Sequence, residues 1–424
     1  MYNRLFGWTY TLLTSLVSLV VVPVILIRGL FGDKHLLEYL GIYGDRVRDD
    51  RESIWVHASS VGEVKLAGLL IEQLRKNDPD CRLVLSVVTP SGRKLADAEI
   101  ASMAEIYYLP LDLNPCLKIA FRKIRPGKIV LTETELYPNF LKRALQANIS
   151  LYLINGRISD RSFRKYQAVR ELFGYLLKSF TLLIMQSEDD LERIVSLGAD
   201  RLKCRTLPNL KYDLIKSQVE QINPGRIRDK YGISPERKIL TAGSTRDGEE
   251  FRIAREYVKF NSSRDDLLLV IAPRHIERAH EIESCLKQAG LTFKLRSLLK
   301  QGEAIDSDVL IVDTIGELTG FYSISSAAFV GGSLVPKGGQ NPLEPVGLGV
   351  PTCFGPHMEN FREIKKSLLE MKLAHQISEG SEVTGFFKSV MDGTVSRPDP
   401  ELLFKKYGSS AEITAGIITG DLNG

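Results

Sequence analysis

Beyond Arg51 the chain alternates short apolar runs with stretches in which apolar residues recur at helical spacing. Ser53–Ser59, Arg82–Thr89, Lys128–Thr134, Ser150–Gly156 and Thr181–Gln186 are predicted strands, and Val64–Lys76, Pro138–Ala147, Ser162–Ser179 and Glu188–Gly198 are predicted helices between them. A second series, Lys238–Ala242, Leu267–Ile271, Val309–Val312, Ala327–Val330 and Val350–Phe354, repeats the pattern. The break between the two series is Leu214–Tyr231, centred on Asn223-Pro224-Gly225, and reads as a linker. Strand and helix in alternation build a parallel sheet covered on both faces, with ligands at the carboxyl ends of the strands. The pattern therefore predicts two similar α/β domains with one cleft between them.

The amino terminus breaks this pattern. From Leu5 to Ile27 there is no charged residue, and Arg4 and Arg28 flank the run. It is long enough to cross a hydrocarbon core of roughly 30 Å as a helix, so a transmembrane anchor is expected over residues 1–32. A cleaved signal peptide is the rival, but the run ends in Val-Val-Val-Pro-Val-Ile-Leu-Ile-Arg without a small-x-small cleavage site. Arg28, Lys34, Arg46 and Arg48 downstream outnumber Arg4 upstream, which leaves the bulk of the chain on the cytoplasmic side.

Length and composition narrow the rest. The 424 residues, 44% of them hydrophobic, suffice for two cores of ordinary size. A net charge of +4 is too mild for a chain devoted to nucleic acid. The 5 cysteines are dispersed and odd in number, with no CxxC pair, as in a reducing compartment. The 6 histidines show no HxxxH or HExxH spacing, so no metal site is expected.

Gly331-Gly332-Ser333-Leu334-Val335-Pro336-Lys337-Gly338-Gly339-Gln340-Asn341-Pro342-Leu343-Glu344 follows the strand Ala327–Val330 and reads as an anion-cradling loop running into a helix. Asn341 suits the N-cap, Pro342 the first helical position, and Glu344 a capping box. The glycines are expected to leave backbone N–H groups free for a phosphate, and Glu344 to accept from ribose hydroxyls. A tight turn with a plain capping box would use the same residues.

Other strand ends carry charge. In Trp55-Val56-His57-Ala58-Ser59-Ser60-Val61-Gly62-Glu63-Val64, Glu63 falls in the first turn of a helix, as a capping-box partner of Ser60 or as a general base at the cleft. Thr132-Glu133-Thr134-Glu135 is a second acidic cluster at a strand end, where carboxylates are either solvated or functional. Arg157, Arg161, Arg164 and Lys165 crowd the helix start after Asn155-Gly156. Cations there oppose the helix dipole, and an acidic or phosphorylated ligand would relieve them. In the second series, Ala242-Gly243-Ser244-Thr245-Arg246-Asp247-Gly248-Glu249-Glu250, Pro273-Arg274-His275 and Asp313-Thr314-Ile315-Gly316-Glu317-Leu318 are further strand-end turns. Together with the glycine loop they describe a nucleotide site.

These segments, taken in order with Leu136-Tyr137-Pro138-Asn139 and Asn209-Leu210-Lys211-Tyr212-Asp213, resemble the 3-deoxy-D-manno-octulosonic acid (Kdo) transferases from about the anchor to Ile364. The resemblance implies two Rossmann-like domains in the GT-B glycosyltransferase fold: an acceptor domain over 33–213 and a nucleotide-sugar donor domain over 214–424. It implies transfer of Kdo from CMP-Kdo to the phosphorylated lipid A precursor (lipid IVA) at the bacterial inner membrane, within lipopolysaccharide biosynthesis. It makes Glu63 the general base and Glu133 and Lys211 transition-state stabilisers. It places CMP against Pro273, Arg274, Ile315, Gly316, Glu317, Asn341, Pro342, Leu343 and Glu344. No cofactor or metal is expected, because a helix dipole and Arg274 can neutralise the single phosphate of CMP. Gly156 and Pro208 stand where the family pattern has alanine and glycine, and residues beyond Met371 match weakly. A membrane-bound transferase using a UDP-sugar, or a non-catalytic membrane-anchored nucleotide-binding scaffold, stays open on the residues alone.

Overall fold

The computed structural model describes residues 2–44, 51–261 and 266–420, so Arg46 and Arg48 of the charge bias lie outside the described residues. The chain divides into two compact units, one running to Leu214 and resuming at Tyr407, the other Ile215–Lys406.

The first unit holds β1 (Ser53–Ala58), β2 (Arg82–Val87), β3 (Glu105–Tyr108), β4 (Pro126–Thr132), β5 (Ser150–Gly156), β6 (Leu182–Met185) and β7 (Cys204–Thr206). They form one parallel sheet in the order β3-β2-β1-β4-β5-β6-β7. The second unit holds β8 (Lys238–Thr245), β9 (Leu267–Pro273), β10 (Phe293–Leu295), β11 (Val309–Ile311), β12 (Ala327–Val330), β13 (Thr352–Phe354) and β14 (His375–Gln376). Their order is β10-β11-β9-β8-β12-β13-β14, again parallel. Alternate residues feed opposite faces: Trp55, Ile129 and Leu131 enter one core, Val56, Ala58 and Val130 the other. Trp55 meets Phe121 and Phe140 edge-on, with centroids 5.3 and 5.0 Å away.

The strands absent from the apolar pattern are β3, β7, β10 and β14, the four sheet edges. β7, β10 and β14 hold no fully buried residue, so they need no apolar run, whereas β3 buries Ile106, Tyr107 and Tyr108 but is only 4 residues long. Cys204-Arg205-Thr206 and His375-Gln376 show this directly. The single helix predicted over Ser162–Ser179 is two, Asp160–Ala168 and Arg170–Leu177, separated at Val169. The expected linker is helical as well, with Lys211–Glu220 followed by Pro224–Lys230, whose N-cap Asn223 accepts from the Arg226 N–H at 3.2 Å. The first unit is not one continuous segment, because the helix Ser410–Thr419 returns to it. Ala411, Ala415 and Ile418 join the core of Leu66, Leu70 and Leu85, and Lys128 Nζ donates to the Ile418 carbonyl.

The amino-terminal helix is Tyr2–Phe31, and its stretch Thr14–Phe31 is long and apolar enough to cross a membrane, with a mean hydropathy of 2.2. One face is committed to the first unit. Val22, Ile25 and Leu26 pack with Leu40, Leu113 and Cys116. Tyr10 OH donates to Asp112 Oδ2 at 3.0 Å and Asn139 Nδ2 to Thr14 Oγ1 at 3.1 Å. Asp112 also accepts the Asn139 and Phe140 amides at 3.1 and 2.8 Å. Leu16, Val20, Ile27, Leu30 and Phe31 remain exposed on the rest of its surface.

Two predictions follow from these cores. Ile418 is 1% exposed, so Ile418→Ala leaves a cavity under the first sheet. We expect a loss of about 2–5 kcal/mol in urea unfolding, against roughly 0.5 kcal/mol or less for a substitution at the exposed Leu402. His57 is wholly buried on β1 and held neutral, because burial pushes its pKa from 6.5 to about 4. Between those values the unfolded chain binds a proton that the fold refuses. The contribution is therefore complete above pH 6.5 and lost as pH falls toward 4, about 3 kcal/mol in all. His57→Gln should flatten the unfolding profile across that window.

Candidate active site

In an open parallel sheet, ligands gather where the strand order reverses. In the first unit that point lies between the carboxyl ends of β1 and β4. β1 passes through Ser59 and Ser60 into the helix Val61–Asn77, and the Ser60 Oγ caps it by accepting the Glu63 N–H at 3.3 Å. Glu63 is 6% exposed. Its Oε1 accepts from the Ser59 and Ser60 hydroxyls at 2.9 and 2.8 Å, and its Oε2 from the Ser59 N–H at 2.9 Å; Thr132 Oγ1 lies 3.3 Å from Oε2 but donates to the His57 carbonyl at 2.7 Å. The capping box is thus displaced by one residue: the carboxylate reaches past its N-cap to the Ser59 amide. Two of its three donors are hydroxyls, which rotate.

β4 ends at Thr132, and Glu133 follows in a left-handed conformation with φ 55°. Such a conformation is costly for a side chain with a Cβ and concentrates at functional sites. Here the Glu133 N–H continues the ladder to the Ile154 carbonyl at 2.9 Å. Burial pushes the Glu133 carboxyl above its ordinary value and the Glu63 charge adds to this, while Lys211 and Arg157 oppose it. Burial likewise holds Lys211 below its ordinary value, with Glu133 pulling it back up. Two asparagines deliver Lys211 to this place. Asn155, itself at φ 52°, accepts the Leu210 N–H at 3.0 Å, and Asn209 Oδ1 accepts the Lys211 N–H at 3.0 Å. Neither asparagine stood out in the sequence as a positioning residue: Asn155 acts on Leu210, far along the chain, and Asn209 on the Lys211 amide close by. Glu63, Glu133, Lys211 and Arg157 thus form one electrostatic cluster at the strand ends.

Glu135 joins them through the Ser59 hydroxyl at 3.2 Å. Arg161, Arg164 and Lys165 are different: they lie exposed on Asp160–Ala168, a helix with no buried residue. Asp160, in its first turn, pairs with Arg193 at 2.5 Å. At Gly156 a Cβ would come within 2.5 Å of Met185 Sδ, so Met185 takes the space an alanine methyl would need.

In the second unit the order reverses between β8 and β12. Gly331, just past β12, lies so close to the end of β8 that a Cβ would stand 2.5 Å from Thr245 Cα. The amides that follow are not free for a phosphate. Glu249, fully buried, receives Gly332 N–H at 2.7 Å, Ser333 N–H at 3.0 Å and Leu334 N–H at 2.9 Å. The expectation of an open amide cradle is corrected by this carboxylate, which arrives from a distant part of the chain. The helix beyond is only Leu343–Gly347. Asn341 still serves its start, its Oδ1 accepting the Leu343 N–H at 3.2 Å. Glu344 accepts from the Asn341 side-chain amide at 3.2 Å and from Thr319 Oγ1 at 3.4 Å. Pro342 and Leu343 are buried against the unit.

Pro273 closes β9, and the exposed Arg274 follows it, its N–H bound to the Thr245 carbonyl at 3.0 Å. Beyond β11, Ile315 is 85% exposed and Gly316 turns at φ 87°. Glu317 is occupied. Lys230 Nζ, Tyr231 OH and Arg296 Nη2 donate to its Oε1 at 2.9, 2.7 and 3.1 Å, and Thr314 Oγ1 donates to Oε2. Burial alone would raise this carboxyl, but the donors outweigh burial and pull its pKa down to about 2. Glu317 therefore anchors the turn that presents Ile315 and Gly316. Arg246, not assigned from the sequence, projects beside Gly332 with Nη1 2.5 Å from His275 Nε2.

The signature of the family described as 3-deoxy-D-manno-octulosonic-acid transferase (kdotransferase) matches residues 34–214. A 3-deoxy-D-manno-octulosonic acid transferase of Haemophilus influenzae is 32% identical over 339 residues, covering 80% of this chain and 79% of the relative. A bifunctional glycosyltransferase/methyltransferase of Fusobacterium nucleatum is 35% identical over 340 residues, 78% of this chain but 52% of the relative, so this chain spans about half that protein's length. Among solved structures, the UDP-GlcNAc 2-epimerase of Neisseria meningitidis superimposes with a TM-score of 0.60 at 12% identity, over 87% of this chain and 100% of that one. That likeness concerns the fold, two parallel-sheet α/β units of GT-B type. On its sequence relationships, the chain belongs to the 3-deoxy-D-manno-octulosonic acid transferase family.

Proposed function

We propose that the chain is an inverting glycosyltransferase that moves Kdo from CMP-Kdo to the phosphorylated lipid A precursor, lipid IVA, at the cytoplasmic face of the inner membrane. The observation that carries this reading is Glu63, a buried carboxylate at the β1/β4 reversal, ringed by hydroxyl donors in a chain of the Kdo transferase family. A hydroxyl donor can turn away and let a substrate hydroxyl take its place. Glu63 then removes the acceptor proton as the acceptor oxygen attacks the anomeric carbon and the bond to CMP breaks. With one base and no covalent intermediate, the anomeric centre inverts. Glu133 and Lys211 stabilise the charge that develops.

In this reading CMP lies against Pro273, Arg274, Ile315, Gly316, Glu317 and the Asn341–Glu344 segment. Glu317 contributes its backbone, since its carboxylate is already held. Arg274 and neighbouring cations take up the leaving phosphate's charge without a metal ion or cofactor. The exposed apolar face of Tyr2–Phe31 meets the membrane, and Arg157, Arg161, Arg164 and Lys165 draw in the phosphorylated acceptor.

Radiolabelled transfer assays with CMP-Kdo and UDP-sugars, on wild type and Glu63→Ala, test this reading. We expect transfer from CMP-Kdo alone, and a loss of roughly 10²–10⁴-fold in Glu63→Ala with CMP affinity unchanged. Transfer from a UDP-sugar would replace the donor, CMP binding without transfer would leave a scaffold, and parallel loss of CMP affinity and turnover would make Glu63 structural. The acceptor assignment has its own check. Neutralising Arg161 and Arg164 should weaken acceptor binding at low salt, and added salt should weaken acceptor binding more than CMP binding. Unaltered acceptor affinity in the double variant would end that assignment.

A further inference from the structure

The carboxylate inside the glycine loop has a completeness that a casual ion pair lacks. Glu249 Oε1 accepts the Ser333 and Leu334 amides at 3.0 and 2.9 Å, and Oε2 accepts the Gly332 and Arg246 amides at 2.7 and 2.8 Å. A carboxylate offers about four lone-pair sites, and here backbone N–H groups fill them all. The residue is 0% exposed, so its charge is sustained by these amides rather than by water. The loop is knitted further by Gly339 N–H to the Gly332 carbonyl at 2.8 Å, Gly355 N–H to Ser333 Oγ at 2.8 Å and Asn360 N–H to the Gly338 carbonyl at 3.0 Å. None of these contacts uses a residue assigned to catalysis or to CMP.

We propose that Glu249 is a positioning residue: its carboxylate is a resident anion in the amide cradle of Gly332, Ser333 and Leu334, fixing the loop that leads to Asn341–Glu344 and excluding the donor phosphate from that cradle. The inference rests on the donor-site reading above. Its consequence is that anion recognition passes to side chains around the loop. Arg246 is tied to the same carboxylate through its backbone N–H, and its side chain passes 3.5 Å from where a Cβ of Gly332 would lie. With the His275 Nδ1 proton turned toward Glu277 at 3.2 Å, His275 Nε2 accepts from Arg246 Nη1. The Arg246 Nε is buried without a hydrogen-bond acceptor. Burial raises the Glu249 carboxyl above its ordinary value, and the four amides work against that shift.

The test compares the full chain with Glu249→Gln and Glu249→Ala by CMP titration and by hydrogen exchange across residues 331–341. Glutamine keeps the size but puts an NH₂ donor against two N–H groups. We expect CMP affinity to fall roughly ten- to hundredfold in both variants, the scale of hydrogen bonds to a charged acceptor. Exchange should accelerate over 331–341 while β12 stays protected. Sodium acetate should restore part of the CMP affinity of Glu249→Ala, and should do nothing for the wild type. A merely structural loss would lower the folded fraction without changing the dissociation constant of the folded molecules, and acetate would not help. Should Glu249→Ala not fold, Glu249→Gln decides. CMP affinity within about twofold of wild type together with unchanged loop exchange in Glu249→Gln overturns the proposal, as does inorganic phosphate protecting the Gly332–Leu334 amides of the wild type. A wild type that binds no CMP removes the donor reading instead, and the exchange comparison still judges Glu249.

Discussion

In each unit a buried glutamate follows the strand at which the order reverses, Glu63 after β1 and Glu249 after β8, and the geometry of both candidate sites depends on how its charge is satisfied. Glu63 follows β1 and reaches Thr132 at the end of the neighbouring β4. Glu249 follows β8 and reaches the loop beyond the neighbouring β12. A buried carboxylate without donors is far too costly to keep, so each one recruits the groups that surround it and holds them in place.

The donors differ in kind, and under the proposed function that difference separates a reactive site from a structural one. Glu249 is held by backbone amides, which cannot turn away without unmaking the loop. Glu63 is held by one amide and two hydroxyls, which reorient at little cost. Around Glu63 the charges are mixed: burial raises Glu133 and lowers Lys211, so both side chains lie where a change of charge in a ligand would be strongly felt. Around Glu249 no ionisable partner is needed.

The amino-terminal helix obeys the same economy of polar groups. Tyr10 and Thr14 meet Asp112 and Asn139 of the first unit, and Val22, Ile25 and Leu26 extend its core. With one face spent on the protein, the other stays exposed. This makes it part of the first unit's structure as well as a candidate anchor, because removing it would expose Leu40 and Leu113.

The sequence by itself determined the central strands, the two-fold repetition of the βα pattern and the acidic and basic strand ends, because period and composition are local and central strands are buried on both faces. Glu63 and Glu133 were legible as members of strand-end motifs, and Lys211 only through the family resemblance. The edge strands β7, β10 and β14 were not, since strands without a fully buried residue carry no apolar run, and β3 was missed because it is only 4 residues long. Only the tertiary structure decided which groups answer each carboxylate. Glu249 and Gly332 lie far apart in the chain yet meet because β8 and β12 are neighbours, and the return of Ser410–Thr419 to the first unit is likewise invisible to any local window. A glycine loop looks the same in sequence whether its amides face a ligand or a buried glutamate, because the partner is chosen by sheet order rather than by the loop.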